Sequence, residues 1–296
     1  IRILFIIAYH HPGRKPLSAP YGVHLPLSFE HQLIEALQEE NIMRNLVHKI
    51  TTSSGDRKIP LVTDYGTASW IEEEQQIPES DVAFSQISLG AHKLATAIRI
   101  SQELLQDSAF DMAAFIVHEF QRRAGAAEEE AILAGDGSHK PIGLLHDTLG
   151  AQIGVTTASS TAITADELID LQHSLKSGYR RKAAFIMNDA TIKAVRKLKD
   201  GQGQYLWQPS IREGVPDMLL NTHVYMSNYM PLSEAGRKAI LYGDYSYYWL
   251  ADRAGRTLQR LNELYAMTDQ VGYKLTERLD GRLILPEAVK CLQMKA

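Results

Sequence analysis

The segment 107–145 has the residue pattern of one long helix. Ser108 stands three residues before Asp111, a capping-box spacing that satisfies the free amides of a helix start. No glycine interrupts the segment before Gly125 and no proline before Pro141. A single helix of about 25 residues, roughly 40 Å at 1.5 Å per residue, is therefore predicted.

The two halves of this helix differ in polarity. An apolar stripe runs along the first half, at Phe110, Ala113, Ala114, Val117 and Phe120. The second half carries charges that are too numerous for a helix buried on all sides, at Arg122, Arg123, Glu128, Glu129 and Glu130. We expect this half to lie partly in solvent or against another chain. The Gly-Asp-Gly sequence at 135–137 should end the helix.

The chain before the helix is predicted to form an arm and a projecting hairpin. Residues 12–26 contain four prolines, which favour extended backbone, and residues 28–50 place Leu33, Leu37, Ile42 and Leu46 at roughly helical spacing. Two predicted strands, 58–62 and 81–100, then enclose an acidic tip that contains Trp70, Ile71, Glu72, Glu73 and Glu74. Because a two-stranded hairpin is marginal alone in water, a projecting one needs another surface.

The remainder of the chain has the pattern of a compact α/β unit followed by returning strands. Thr164 precedes Glu167 by three residues, a second capping box, and Asn188 can cap a helix that follows the apolar run 183–187. Further strands are expected at 224–226, 239–242, 257–261 and 271–284. Asp280-Gly281 has the composition of a tight turn.

Composition narrows the class of protein only slightly. The chain has 296 residues, 45% of them hydrophobic, and a formal net charge of -4, which offers no overall basic balance for binding nucleic acid. One cysteine, Cys291, excludes an internal disulfide bond. The apolar run 1–8 is too short to span a bilayer, so we expect no membrane association.

No motif in the sequence predicts catalysis, a cofactor or a metal. The glycine-rich segments 135–141 and 200–203 lack the spacing of a phosphate-binding loop. His118-Glu119 begins like a zinc-protease helix, but Arg122 occupies the position of the second histidine. We interpret the glycines as turns and the His-Glu pair as helix surface.

Two further clusters have a structural and a functional interpretation. A basic group could touch DNA, but a solvated or inter-subunit face is favoured, and its members are Lys176, Arg180, Arg181, Lys182, Lys193, Arg196 and Lys197. An aromatic group could stack on bases, but packing in a core or interface is favoured, and its members are Tyr242, Tyr245, Tyr247, Tyr248 and Trp249.

Three motifs in order carry a resemblance to a known family. They are LAGDGSHKPIGLL at the end of the long helix, AAFIMNDATIKAVRKLKDGQGQYLW after about forty residues, and AILYGDYSYYWLADR. Together they resemble the major capsid protein of tailed bacteriophages, with the Hong Kong 97 fold, over about residues 21–289. The resemblance implies an α+β fold built around the long, or spine, helix.

The resemblance also implies a division of the chain into named regions. These are an N-terminal arm (1–58), a hairpin called the E-loop (59–92), a peripheral domain with the spine helix (93–150), an axial domain (151–251) and a second part of the peripheral domain (252–296). Subunit contacts are then expected at Trp70, Ile71, Glu72, Glu73, Glu74, Arg122 and Arg123.

The implied function is structural. Pentamers and hexamers of the chain would form an icosahedral phage head around double-stranded DNA, assembled in the bacterial host cytoplasm. A scaffold, a maturation protease, a portal and decoration proteins are possible partners, and no cofactor is expected. Two alternatives remain, an encapsulin-type compartment shell and a soluble α/β enzyme that uses residues 151–251.

Some members of this family join subunits through an isopeptide bond between a lysine and an asparagine, promoted by a glutamate. Alignment with that pattern places Glu74 at the lysine, Asp269 at the asparagine and Thr276 at the glutamate. All three chemical groups are absent at these positions. The resemblance therefore implies a shell held by non-covalent contacts or by a decoration protein.

Overall fold

A computed structural model describes residues 23–24, 41–53, 55–64, 70, 83–107, 112–199, 202–205, 207 and 218–296. Its α-helices are α1 Ile42–Leu46, α2 Gln102–Asp107, α3 Met112–Ala134, α4 Ala165–Ser174, α5 Ser177–Arg180 and α6 Asp189–Arg196. The strands are β1 Val23–His24, β2 His48–Thr52, β3 Arg57–Asp64, β4 Ala83–Leu89, β5 His92–Ser101, β6 Gln152–Thr156, β7 Ala184–Met187, β8 Met218–Leu219, β9 Thr222–Met226, β10 Lys238–Gly243, β11 Tyr248–Arg253, β12 Thr257–Leu261, β13 Gln270–Leu283 and β14 Val289–Gln293.

The first sheet is built around β13, its longest strand. The order is β1-β12-β13-β11-β2, and β5 also pairs with β13. The β5–β13 pairing is antiparallel from Ser101 opposite Gln270 to His92 opposite Leu279. Burial alternates along β5 as the sequence predicts, because one face of the strand turns toward α3.

The predicted spine helix is confirmed as α3, which has 23 residues. The predicted cap at Ser108 and Asp111, and Phe110, lie outside the described residues. Val117 and Phe120 are buried as expected, but the prediction was wrong for Ala113 and Ala114, which are exposed. The helix packs on the first sheet from its second turn, in a core that contains Ile116, Val117, Phe120, Ala124, Ile100, Leu258 and Tyr273.

The second sheet has the order β6-β14-β10-β7-β9-β8. β7 is buried along its whole length, as the apolar run 183–187 predicts. Both predicted caps are present, since Thr164 and Glu167 form a complete capping box and the Asn188 side chain accepts a hydrogen bond from the Ala190 amide. α4 and α6 cover one face of this sheet with Leu168, Leu171, Leu175 and Val195.

Three features of the sheets were not apparent from the order of the segments. β14 pairs with β6 and β10 in the second sheet, so the range 252–296 contributes strands to both sheets. β2 pairs in parallel with β11, so residues 48–52 of the predicted arm form a strand of the first sheet. Gly281 lies inside β13, where a Cβ atom would stand 2.6 Å from the Tyr248 hydroxyl. Close packing against a tyrosine, and not a turn, requires glycine there.

The turn after α3 folds the chain back on the end of the helix. The amide of Gly143 donates to the Gly135 carbonyl at 2.8 Å, and a Cβ on Gly143 would stand 2.4 Å from the Gly135 nitrogen. Gly137 has a φ of +78°, a backbone conformation that side chains rarely adopt. The turn therefore depends on glycine for two separate reasons, close backbone approach and left-handed backbone.

We expect Gly137→Val to lower the free energy of unfolding by more than about 1 kcal/mol, because a β-branched side chain is strained at positive φ. Gly178→Val is the matched control, since Gly178 has open space around the added side chain and no positive φ. Urea unfolding of both soluble variants measures the difference. Equal losses in the two variants would contradict this assignment of the turn.

Candidate subunit-contact site

The base of the hairpin formed by β3 and β4 is anchored in the body of the protein. β3 and β4 pair antiparallel, with Arg57 opposite Leu89 and Val62 opposite Phe84. Ile59 and Leu89 are buried at this base in a small core with Ala251 and Ile284. Burial of Ile59 and Leu89 therefore fixes the base of the hairpin against the body of the protein.

Polar contacts hold the same base. Arg253 donates to the Gly55 carbonyl at 2.5 Å and to Asp56 at 3.2 Å. Asp280, inside β13, accepts from the Gly90 amide at 2.6 Å and lies 3.6 Å from the His92 ring. The hairpin is thus tied to two strands of the first sheet, β11 and β13.

Trp70, in the connection between β3 and β4, presents its side chain to solvent. Trp70 has a relative exposure of 105%, so it makes essentially no contact within the described part of the chain. Ile71, Glu72, Glu73 and Glu74 lie outside the described residues. An exposed indole is a feature of surfaces that bind partners, because tryptophan contributes a large apolar area at low entropic cost.

Arg122 and Arg123 lie on the solvent side of α3 and share one acidic partner. Arg122 holds Glu119 with two hydrogen bonds of 2.8 and 3.0 Å, and Arg123 donates to Glu119 at 2.7 Å. These hydrogen bonds, the one from Arg122 foremost, lower the pKa of Glu119 to about 2. Two arginines against one carboxylate leave one net positive charge on an exposed helix face, which suits an acidic partner.

The expectation that Glu128 and Glu129 face solvent or another chain was wrong. Glu128 is fully buried and binds Arg44 of α1 and Arg256 of the turn after β11. Glu129 accepts hydrogen bonds from Ser227 at 2.5 Å and from the Ile42 amide at 3.2 Å. Only Glu130 of the three is exposed. The arginines that bury Glu128 are distant in sequence, so the periodicity of α3 contains no sign of them.

Sequence patterns did not predict an exposed apolar group at one end of the first sheet. The amide of Gln102, at the start of α2, donates to the Asp269 carbonyl at 2.9 Å and joins α2 to the turn before β13. Around this junction Leu104, Leu264 and Met267 are exposed, Met267 almost completely. These side chains are exposed because of where α2 and the turn end. The spacing of apolar residues in the sequence does not give the positions of those ends.

The three positions aligned with isopeptide chemistry are only partly described. Asp269 has a φ of +49° and ends a 3₁₀ turn just before β13. Thr276 lies inside β13, between Ala95 of β5 and Thr257 of β12, with its hydroxyl buried. Glu74 lies outside the described residues.

The clusters with two interpretations are mainly structural. Tyr242, Tyr245 and Tyr248 are buried, and the Tyr248 hydroxyl donates to the Ile142 carbonyl at 3.0 Å, which confirms the packing interpretation for these three. In the basic group, Lys176 pairs with Glu287 at 2.5 Å and Arg180 binds two backbone carbonyls. The exposed remainder of that group includes Arg181, Lys182, Lys193 and Lys197.

The segments considered for chemistry have the expected simple geometry. Residues 136–140 form a turn in which Asp136 accepts from the Ser138 amide at 2.9 Å, and His118 is exposed on α3. Within the described ranges, His, Cys, Asp and Glu side chains form no group able to hold a metal ion. No helix in those ranges has the length and apolarity needed to cross a membrane.

Comparisons with known proteins agree with this geometry. The profile of the Phage capsid family matches residues 22–294. The major capsid protein of Klebsiella oxytoca phage phiKO2 is 22% identical over 231 residues, 75% of this chain and 53% of that protein. The major capsid protein of Escherichia phage T5 is 25% identical over 157 residues, 50% of this chain and 34% of that protein. The chain thus spans about half or less of the length of these relatives.

Solved structures match over almost the whole chain. The capsid of a native GTA particle has a TM-score of 0.75 and 26% identity, covering 96% of this chain and 95% of that chain. A structure from Gordonia phage Cozz has a TM-score of 0.64 and 15% identity, covering 86% and 87%. The fold is therefore the predicted α+β capsid fold of the Hong Kong 97 type, and the chain belongs to the phage capsid family.

Proposed function

We propose that this chain is a structural coat protein that assembles with copies of itself into pentamers and hexamers of an icosahedral head around double-stranded DNA. Its site of action is the virion capsid, after assembly in the host cytoplasm. The observation that carries the proposal is a hairpin with a firmly anchored base and a fully exposed Trp70. A projecting hairpin of this kind is expected to pack against the surface of another molecule.

A second copy of the chain is the partner that this site fits. The acidic sequence Glu72-Glu73-Glu74 beside Trp70 complements the net positive face that Arg122 and Arg123 present on α3. Each such contact contributes little in water, since exposed ion pairs are weak. Several contacts per subunit, closed by symmetry, would hold a shell by avidity.

The other partners are inferred from the kind of assembly proposed, and not from contacts in the described part of this chain. A scaffold, a maturation protease, a portal and decoration proteins belong to the proposal as components of such a head. Packaged DNA would be contacted without sequence preference, through its phosphates. The regions named arm, E-loop, peripheral domain and axial domain remain part of the proposal.

The alternatives are disfavoured for different reasons. An encapsulin-type shell would also assemble from copies of one chain. It would be identified by particles that form without phage components and enclose protein instead of DNA. A soluble enzyme would need a nucleophile, a base or a metal group converging on one pocket. The second sheet includes the Cys291 thiol of β14, but burial raises its pKa to about 11, which keeps it un-ionised at neutral pH.

Trp70→Ala should prevent particle formation while the chain stays folded, because the side chain contacts solvent in the single subunit. Trp70→Phe is the conservative control and should restore most assembly. Negative-stain microscopy counts particles, and circular dichroism checks folding. Normal particles from Trp70→Ala would remove the hairpin tip from the assembly contacts.

Amides of the segment 59–92 should gain protection from hydrogen exchange when free chains assemble, because a second copy covers the hairpin. Amides of β7, buried in the single subunit, should exchange at the same slow rate in both states. Mass spectrometry of peptides from free and assembled protein measures both. Equal exchange of 59–92 before and after assembly would contradict the proposed contact.

Boiled shells should give one band near 33.1 kDa on a denaturing gel, without covalent oligomers. Glu74 replaces the lysine, and Lys58, about sixteen residues earlier, is tens of Å from the tip of an extended strand at about 3.3 Å per residue. Asp269 lacks the amide that would release ammonia, and Thr276 lacks a carboxylate. A ladder that survives reductant would show another lysine reacting.

A further inference from the structure

Two glutamates from different elements meet inside a buried cluster of charges. Glu128 comes from α3 and Glu277 from β13, and the Arg256 guanidinium bridges them, at 3.1 Å from Glu128 and 2.6 Å from Glu277. The two carboxyl groups are also close enough to hydrogen-bond to each other. Both side chains are almost completely buried, with exposed fractions of 0% and 4%.

The N-terminal segment 41–52 is held to the body through this cluster. Arg44 of α1 contacts Glu128 and also binds Asp252 of β11 with two hydrogen bonds of 2.8 and 3.1 Å. The Asn41 amide donates to the same Glu128 oxygen at 3.2 Å. Glu128 is therefore a shared acceptor for Asn41 and Arg44, beside the separate hydrogen bond from the Ile42 amide to Glu129.

The charges of the cluster do not balance when every group is ionised. Arg44 and Arg256 supply two positive charges, and Glu128, Glu277 and Asp252 supply three negative charges. Asp252 is 29% exposed, so water solvates part of its charge. The two buried carboxylates share the Arg256 guanidinium, and their mutual repulsion is poorly screened in a buried site. One bound proton would remove that repulsion.

Hydrogen bonding gives the same answer by an independent route. Within the described residues, the Glu277 Oε1 atom has no hydrogen-bond partner. A buried carboxylate oxygen without a donor is unfavourable. The same oxygen as part of an un-ionised carboxyl group can donate its proton to Glu128, which satisfies both acids.

Other ionisable groups near the pair line a cavity on the side of Glu128. In the sheet, Glu277 lies opposite Leu94 of β5, an apolar residue. On the side of Glu128, a cavity of about 210 Å³ separates α3 from β5 and from the turn after α3, and the ionisable residues that line it with Glu128 are His92, Lys93, Glu130, His139 and Lys140. In the described residues, Glu128 forms ion pairs with Arg44 and Arg256, and Glu277 forms one with Arg256.

We propose that Glu128 and Glu277 hold one proton between them at neutral pH, and that this proton controls how firmly segment 41–52 is held against α3. Loss of the proton places two carboxylates in contact around one shared arginine. Their repulsion weakens the Glu128 acceptor site on which Asn41 and Arg44 depend. The cluster is thus a proton-dependent latch for the N-terminal segment.

The pKa values of the two acids differ in the direction that the geometry requires. Burial first, and then the negative charge of Glu128, raise the pKa of Glu277 to about 8. Burial alone would raise the pKa of Glu128 as well, but the charges and hydrogen bonds of its partners, Arg44 first, hold it below the usual value. Glu277 is therefore the acid that carries the proton, and Glu128 is its acceptor.

The direction of the pH effect follows from linkage. The folded pKa of Glu277, about 8, is above its ordinary value of 4.5, so the folded chain binds a proton that the unfolded chain releases between these pH values. The stabilisation from this group is complete below pH 4.5 and is lost as the pH rises through about 8. The unfolding equilibrium constant should accordingly rise up to tenfold per pH unit in that interval.

Glu277→Gln tests the proposal in the full chain. The carboxamide imitates the un-ionised acid, since its nitrogen can donate to Glu128 and its oxygen can accept from Arg256, but it does not titrate. Urea unfolding between pH 5 and 9 should show the ratio of wild-type to variant unfolding constants rising about tenfold per pH unit up to about pH 8. Glu130→Gln, an exposed neighbour on α3, should follow the wild-type pH profile. Parallel profiles for Glu277→Gln and wild type would overturn the proposal.

Two measurements on the wild-type chain keep the test decisive if the variant does not fold. Infrared spectroscopy with labelled glutamate should show an un-ionised carboxyl group at pH 7 that disappears by about pH 9, and its absence at pH 7 would overturn the shared proton. Hydrogen-exchange protection of residues 41–52 should fall over the same pH range relative to β7. Constant relative protection would overturn the latch.

Discussion

The structure depends on one hydrophobic cluster that joins both sheets to the end of the spine helix. Ile132 and Leu133 from the last turns of α3 pack with residues of the first sheet, such as Leu250, and of the second sheet, such as Leu241. Met43 and Val47 bring the N-terminal segment into the same cluster. Because burial of apolar area is the main favourable term in folding, the helix end is what makes the two sheets one body.

Buried charge and buried apolar surface occupy neighbouring stretches of the same helix. The last turn of α3 contributes Ile132 and Leu133 to the shared core, while one turn earlier Glu128 enters the cluster of arginines. Charges buried in this way are stable only when each keeps its partners, which makes their geometry specific. Segment 41–52 is thus held by non-directional apolar contacts through Met43 and by directional ones through Arg44.

The parts of the fold that were predictable from sequence are those that local chemistry decides. The Thr164 and Asn188 caps, the buried strand β7 and the length of α3 depend on residues a few positions apart. The parts that were not predictable depend on distant pairings. Burial of Glu128 requires Arg44 as a partner. Glycine is required at position 281 because the Tyr248 side chain leaves no room for a Cβ atom. In the candidate site, the exposed arginines were predictable from helix polarity, whereas exposure at Leu264 and Met267 was not.

The position of β14 has a consequence for how the chain is made. This strand lies between β6 and β10, where Lys290 pairs with Gln152 across 138 positions of sequence. β14 is synthesised after every other strand of its sheet. The position between β6 and β10 therefore stays empty until residue 293 has been translated. A prematurely terminated chain lacks the inner strand and exposes two unpaired edges. Only chains translated through β14 can therefore complete the second sheet.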